Sequence, residues 1–160
     1  VGEFWSPVEV STKLQKIAAK KGCKQFRLSG SEPILGKASA KHIAEVIKLC
    51  PGQWVIETNG LMLGYDLSLL KLFPKNLLWR VTIKATGEEM FEKVTGAKGK
   101  FAEYPIAAIT EMENSNLNLE VAYNPKFVPD VEWFRNFNCE FETTHYYPGV
   151  KQRMIARGLV

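Results

Sequence analysis

Five short segments of this chain alternate apolar and polar side chains with a period of two, and residues at helical spacing separate each from the next. Residues two apart share one face of a strand. Phe26 and Leu28 therefore oppose Arg27 and Ser29, Trp54 and Ile56 oppose Glu57 and Asn59, and Trp79, Val81 and Ile83 oppose Arg80, Thr82 and Lys84. In the same way Leu119, Val121 and Tyr123 oppose Glu120 and Asn124, and Cys139 and Phe141 oppose Glu140 and Glu142. Strands alternating with helices imply a parallel sheet of right-handed crossover units. Parallel strands covered on both faces, however, read as continuous apolar runs. The alternation thus predicts helices over one face and a polar face opposite, either open to water or lining the concave side of a curved sheet. We expect the concave arrangement: an α/β fold, a partial, open TIM-like barrel of about five alternating parallel strands and helices, with the first strand of such a barrel missing.

The order of elements follows from local signals. Ser6, Pro7 and Glu9 form a capping box with proline at the first helical position, Val10, Leu14, Ile17 and Ala18 lie at helical spacing, and Gly22 ends the helix. Strands are expected over residues 24–29, 53–59, 77–85, 117–124 and 138–143. Helices are expected over 38–49, with Ile43, Val46 and Ile47 on one face, and over 67–72, 102–112 and 131–137. Thr86 and Glu89 suggest a second capping box for a helix running to residue 94. Residues 1–160 read as one domain, since 46% hydrophobic content at this length suffices for a core and no linker or repeat interrupts it.

Charge narrows the partners. The net charge is +4, but lysines and arginines are interspersed with acids such as Glu88, Glu89, Glu92, Asp130 and Glu132, which is solubilising charge more than a nucleic-acid stripe and leaves a weak anionic partner open. Apolar runs stop short of membrane-spanning length and no signal-like leader opens the chain, so a cytoplasmic location is expected. Cys23, Cys50 and Cys139 are odd in number and far apart, which suits buried thiols better than disulfides or a metal site. The opening "VGEFWSP" lacks a methionine and reads as a segment entered midway, so a fragment of a longer protein is expected.

In such folds chemistry gathers at the carboxyl ends of the strands, here residues 29–33, 57–60, 84–87, Asn124 and 143–145, five loops expected to share one mouth. "GSEPILGKA" is not a phosphate loop: the spacing from Gly30 to Gly36 and Lys37 is one residue too long, Ala38 replaces the magnesium-binding hydroxyl, and Glu32 would repel phosphate. "ETNG" taken alone needs no function beyond an Asn-Gly turn. His42 and His145 are too few and too distant for a metal site; His42 reads as structural or surface, whereas His145 follows a strand end. Lys84 sits on the polar face at another strand end, and the tryptophans and phenylalanines fall on the apolar faces as packing groups.

Together "RLSGSEPIL", "VIETNG" and "VTIKATGEEMFEKVTG" resemble the radical S-adenosylmethionine superfamily, and within it proteins like the pyruvate formate-lyase activating enzymes. Gly30-Ser31-Glu32-Pro33 stands where that family carries Gly-Gly-Glu-Pro, and Thr58-Asn59-Gly60 matches its Thr-Asn-Gly. Thr82-Ile83-Lys84 keeps the lysine of an Asp-x-Lys pair without its acid. The resemblance runs from about residue 4 to about residue 96, and "THYYPGVKQR", with His145, matches the later histidine region only weakly. It implies S-adenosylmethionine as cofactor. Glu32 would face the cofactor's ammonium, or would hold the loop so that the Gly30 and Ser31 carbonyls do. Lys84 would pair with the methionine carboxylate, and Glu57 and Asn59 would hydrogen-bond the ribose or the methionine end. Ser31, departing from glycine, implies either a backbone that avoids left-handed angles or weaker binding.

The resemblance also implies a 4Fe-4S cluster on three cysteines spaced C-x-x-x-C-x-x-C, ahead of the helix that begins after Ser6; Cys23, Cys50 and Cys139 do not reproduce it. The parent is accordingly expected to be an iron-sulfur enzyme that reductively cleaves S-adenosylmethionine to a 5′-deoxyadenosyl radical for hydrogen abstraction, with this chain alone inactive. Its substrate is open between a protein such as a glycyl-radical enzyme, an RNA and a small molecule. The alternative is a non-catalytic α/β domain of the same architecture that binds a small molecule or a partner. The edge of strand 24–29 is expected to be exposed and to favour self-association.

Overall fold

The computed structural model describes residues 3–129, 132–143 and 148–159. Helix α1 (Pro7–Lys21) opens on the expected capping box, with Glu9 N donating to Ser6 Oγ at 3.3 Å and Ser6 N to Glu9 Oε2 at 2.7 Å. The Ser6 hydroxyl and then its backbone N–H hold the Glu9 carboxyl below its ordinary range. Then follow β1 (Gln25–Leu28), α2 (Lys37–Leu49), β2 (Gln53–Thr58), α3 (Leu61–Tyr65), β3 (Leu78–Ile83), α4 (Glu88–Thr95), α5 (Glu103–Asn114), β4 (Asn118–Tyr123), β5 (Asn138–Phe141) and α6 (Val150–Ala156).

The strands form one five-stranded sheet in the order β1-β2-β3-β4-β5, parallel throughout. Each crossover steps one place in the same direction, and right-handed crossovers of that kind return on the same side of a sheet. The apolar face meets the helices there. Trp54, Ile56, Trp79, Val81, Ile83, Val121 and Tyr123 share a core with Ala40, Ala44 and Ile47 of α2, Leu63 of α3 and Ala108, Ile109 and Met112 of α5. Residues of the opposite parity, Arg27, Glu57, Arg80, Glu120 and Glu140, stay on the other face.

Several local expectations are corrected. A short helix, α3, follows β2 directly, and residues 67–72 form a 3₁₀ turn instead of an α-helix, opened by Asp66 accepting from Ser68 N. The Thr86–Glu89 capping box does not form. Helix α4 starts after Gly87, so Glu89 is its second residue, one short of the capping position, and its carboxylate accepts from Lys93 Nζ at 2.6 Å. Residues 133–136 form only a 3₁₀ turn, and residue 131 of the expected helix lies outside the described residues. Cys23 is exposed, not buried, because the chain turns outward at Gly22 before β1. Ile17, expected on the apolar stripe of α1, is 45% exposed, since α1 meets the core through Val10 and Leu14.

Helix α6 was not legible in the sequence. It brings Met154 and Leu159 into a second small core with Ala85, Phe91 and Phe127. Arg157 Nη1 donates to Val94 O at 3.1 Å and satisfies one of the free carbonyls at the end of α4. No helix among the described residues is long and apolar enough to cross a membrane.

Helices α3 and α5 approach through Gly64: a Cβ there would lie 1.8 Å from the Tyr104 carbonyl oxygen. Gly64→Ala must push the helices apart, and urea unfolding should register a loss of about 1–3 kcal/mol. An unchanged midpoint would contradict this close approach.

Candidate functional site

A pocket of about 240 Å³ opens at the carboxyl ends of the strands. The loop after β1 contributes Gly30, Ser31 and Glu32, the end of β2 contributes Glu57, Thr58 and Asn59, β3 and its exit contribute Thr82 and Lys84, and the exit from β5 contributes Glu142. Every wall residue thus comes from a strand end or the loop beyond it, where side chains of separate strands converge.

Glu32 organises the first wall. Its Oε1 accepts from Ile34 N at 2.9 Å and Thr58 Oγ1 at 2.7 Å, and its Oε2 accepts from Asn59 N at 2.6 Å. Three hydrogen bonds to a carboxylate are charge-assisted and individually strong. The carboxylate therefore clamps its own loop to the end of β2. Pro33 bars the α region to Glu32, and Ile34, wholly buried, anchors the loop on the core. Gly30 takes the positive φ of 104° that the turn requires, whereas Ser31 has a negative φ and is unstrained as a non-glycine. In the unliganded chain Glu32 acts as a clamp. Pro33 belongs to the loop but not to the pocket wall.

Thr58 completes this unit. It faces the apolar side and is only 5% exposed, yet its hydroxyl is satisfied, giving to Glu32 and accepting from Gly60 N at 3.1 Å. Asn59 Oδ1 accepts from Leu61 N at 2.9 Å, which fixes the carboxamide and leaves its NH₂ as the donor side.

The polar face below the pocket is an ion network centred on Arg80, whose side chain is only 12% exposed. Register places Glu57, Arg80 and Glu120 side by side on β2, β3 and β4. Arg80 reaches Glu57 at 3.4 Å, Glu120 at 3.3 Å, Glu140 at 2.6 Å and Glu142 at 3.7 Å. Arg27 pairs with Glu57, and Lys84 Nζ lies 3.6 Å from Glu142 Oε2. Three cations thus face four carboxylates, an excess of one negative charge. Lys84, half exposed at the rim, is the cation of this network that a ligand in the pocket can reach.

No protein-family model matches the chain, and no curated protein sequence matches it significantly.

Of the residues expected from sequence, Gly30, Ser31, Glu32, Glu57, Asn59 and Lys84 meet in one pocket, and His145 lies outside the described residues. Thr58, Thr82 and Glu142 were not among the expected site residues. Glu142 and Thr82 carried a usable signal in their polar-face parity, and Thr58, whose parity is apolar, carried one in its place within the Thr58-Asn59-Gly60 strand end. Asn124, expected at the mouth, does not line the pocket.

The cysteines do not fit an iron-sulfur cluster. Cys23 and Cys50 precede β1 and β2, and Cys139 is the second residue of β5, so all three lie towards the amino ends of the strands, away from the pocket. Burial pushes the Cys50 and Cys139 thiols up, against the thiolate form a cluster requires. Among the described residues no group of three or more His, Cys, Asp or Glu is placed to hold a metal.

Proposed function

We propose that this chain binds S-adenosylmethionine by its amino-acid end, as part of a radical S-adenosylmethionine enzyme built on an open, TIM-like partial barrel. The observation that carries the reading is that one pocket holds both signs of charge, Glu57 at the end of β2 and Lys84 beside Glu142 at the exits of β3 and β5, beneath a loop clamped by Glu32. A zwitterion matches that pattern. Its ammonium would lie by the Gly30–Ser31 loop and Glu57, its carboxylate at Lys84, and the Asn59 amide would donate to the same end. In an enzyme of this class the bound cofactor supplies a carbon-centred radical for hydrogen abstraction. Because the cysteines here do not fit the cluster that step needs, the proposal for this chain stops at binding and positioning.

Calorimetric titration tests it. S-adenosylmethionine should bind, methionine should compete because it carries the same zwitterion, and adenosine should not. Lys84→Ala should weaken binding about tenfold to a hundredfold, the worth of a charged hydrogen bond. Glu142→Gln should strengthen it, because Glu142 competes for Lys84. Adenosine competing as well as methionine, with Lys84→Ala neutral, would overturn the reading.

The size of the pocket supports a second reading. At about 240 Å³ it falls below the roughly 300–1,000 Å³ usual for sites that enclose larger ligands, which suits a binding domain for a free amino acid or similar zwitterion. Methionine binding as tightly as S-adenosylmethionine would favour that reading.

A further inference from the structure

The cations of this chain are less evenly spread in space than in sequence. Residues 93–102, which run from the end of α4 through a 3₁₀ turn (Gly99–Ala102), carry Lys93, Lys98 and Lys100 and no acid. Residues 149–159, around α6, carry Lys151, Arg153 and Arg157 and again no acid. With a net charge of +4, the rest of the chain is left at −2 once these six are set aside. Both segments pack on the same small core, Val94, Ala97 and Phe101 from the one and Val150, Met154 and Leu159 from the other. Arg157 joins them directly, since its Nη1 donates to Lys93 O and Val94 O. All six cations are exposed, and among the described residues only Lys93 has an ion-pair partner, Glu89.

Aromatic rings adjoin this patch. Phe101 stacks on Tyr104 of α5 with ring centres 5.8 Å apart, Tyr104 meets Tyr65 of α3 edge-on at 5.7 Å, and Lys100 Nζ lies 5.5 Å from the Phe101 ring centre. Tyr65 is 67% exposed, so the outer end of this ladder presents a ring to solvent. Of the acids on the border, Glu89 is taken up by Lys93 and Glu92 is exposed on α4, while Glu88 and Glu103 line a cavity of about 260 Å³ with Lys100 and Ile106. Carboxylates so placed are acceptors for the amino groups of a base. Helix α5 leads from β3 into β4 of a parallel sheet, so its first turn, with Tyr104, stands over the middle strands at the same end as the pocket.

We propose that this face binds single-stranded RNA, with phosphates on Lys98, Lys100, Lys151, Arg153 and Arg157 and bases on the ladder of Tyr65, Tyr104 and Phe101. Cations beside stacked rings are what an unpaired strand requires, since its phosphates take the charge and every base offers a π-face. An anionic lipid surface would use the cations but has no flat group for the rings, and a duplex keeps its bases stacked inside. RNA is the strand in question because its loops, bulges and ends hold unpaired bases, and because the tyrosine hydroxyls beside them are partners for a 2′-OH. The interface does not depend on what the pocket binds.

Fluorescence anisotropy on the 160-residue chain tests the proposal, with a labelled oligocytidylate of about 12 nucleotides as probe. Affinity should fall with salt, its logarithm dropping by about 2–3.5 per unit of log salt as about three to five phosphate contacts require. Lys100→Glu and Arg153→Glu should each weaken binding about tenfold or more and flatten that slope. Lys16→Glu makes the same change in net charge at an exposed position on α1 and should leave binding as it is. Tyr65→Ser should weaken binding about fivefold or more with the salt slope and the circular dichroism unchanged, the mark of a stacking contact. Oligodeoxycytidylate, an RNA duplex and phosphatidylserine vesicles should each bind more weakly than the single-stranded RNA. No binding at low salt, Lys16→Glu as harmful as Lys100→Glu, indifference to Tyr65→Ser, or DNA, duplex or vesicles bound as tightly as the probe would each overturn it.

Discussion

Replacing Arg80 with alanine should destabilise the folded chain by about 1–3 kcal/mol, the cost of removing a charged hydrogen-bond donor from a partly buried network. Glu57, Glu120, Glu140 and Glu142 all lie within 3.7 Å of this one guanidinium. Without it, four carboxylates share a face with only Arg27 and Lys84 at its margins. Arg80→Lys should recover part of the loss at most, since one ammonium cannot reproduce a fork that bonds in several directions. Ala122 explains how the fork reaches β5. It lies between Thr82 and Glu140 in the register, is wholly buried, and is small enough for Arg80 to cross β4 above it. Urea denaturation of the wild type and both variants provides the measurement. A loss below about 1 kcal/mol for Arg80→Ala would mean that the network behaves as solvated surface charge, and the polar face would then be an open surface instead of the floor of a site.

The parts of this molecule that were legible in the sequence are those set by local period. Phe26/Arg27 and Trp79/Arg80 declare two faces within two residues, and helical spacing between such segments declares the crossovers. From these came the parallel sheet, the side on which the core sits and most of the pocket wall. The members of the Arg80 network were legible as residues of one polar face, but their pairing was not, because it depends on strand register: Glu57 and Glu120 become neighbours of Arg80 only when three strands separated by helices align. The bond from Thr58 to Glu32 was hidden for a related reason, since the hydroxyl serves Glu32 from across a strand boundary while the parity of Thr58 says core. At the ends of elements the deciding quantity was a single residue. Starting α4 at Glu88 moved Glu89 out of capping position, and a Gly22 turn moved Cys23 into water. Helix α6 contributes a few apolar residues to a small core far from it in sequence, which no local pattern advertises.

Glu32→Gln should separate the two roles a carboxylate can take in this loop. The substitution keeps the volume and replaces one oxygen by an NH₂ group, but the three groups that face it, Ile34 N–H, Thr58 O–H and Asn59 N–H, all donate. A donor is then set against a donor, and the unliganded chain should lose about 1–3 kcal/mol. The Asn59 and Ile34 amides should exchange with solvent about tenfold faster or more as the loop detaches from β2. Binding of S-adenosylmethionine or methionine should fall at the same time, since the Gly30–Ser31 segment no longer holds its place. Were Glu32 instead the direct partner of a ligand ammonium, Glu32→Gln would weaken binding but leave the unliganded stability and both amide exchange rates as they are. Stability measured without ligand is therefore the deciding quantity, and it bears on the opposite behaviour expected at Lys84. That side chain leans on Glu142 alone in this network, so its replacement should cost the chain little and the ligand much.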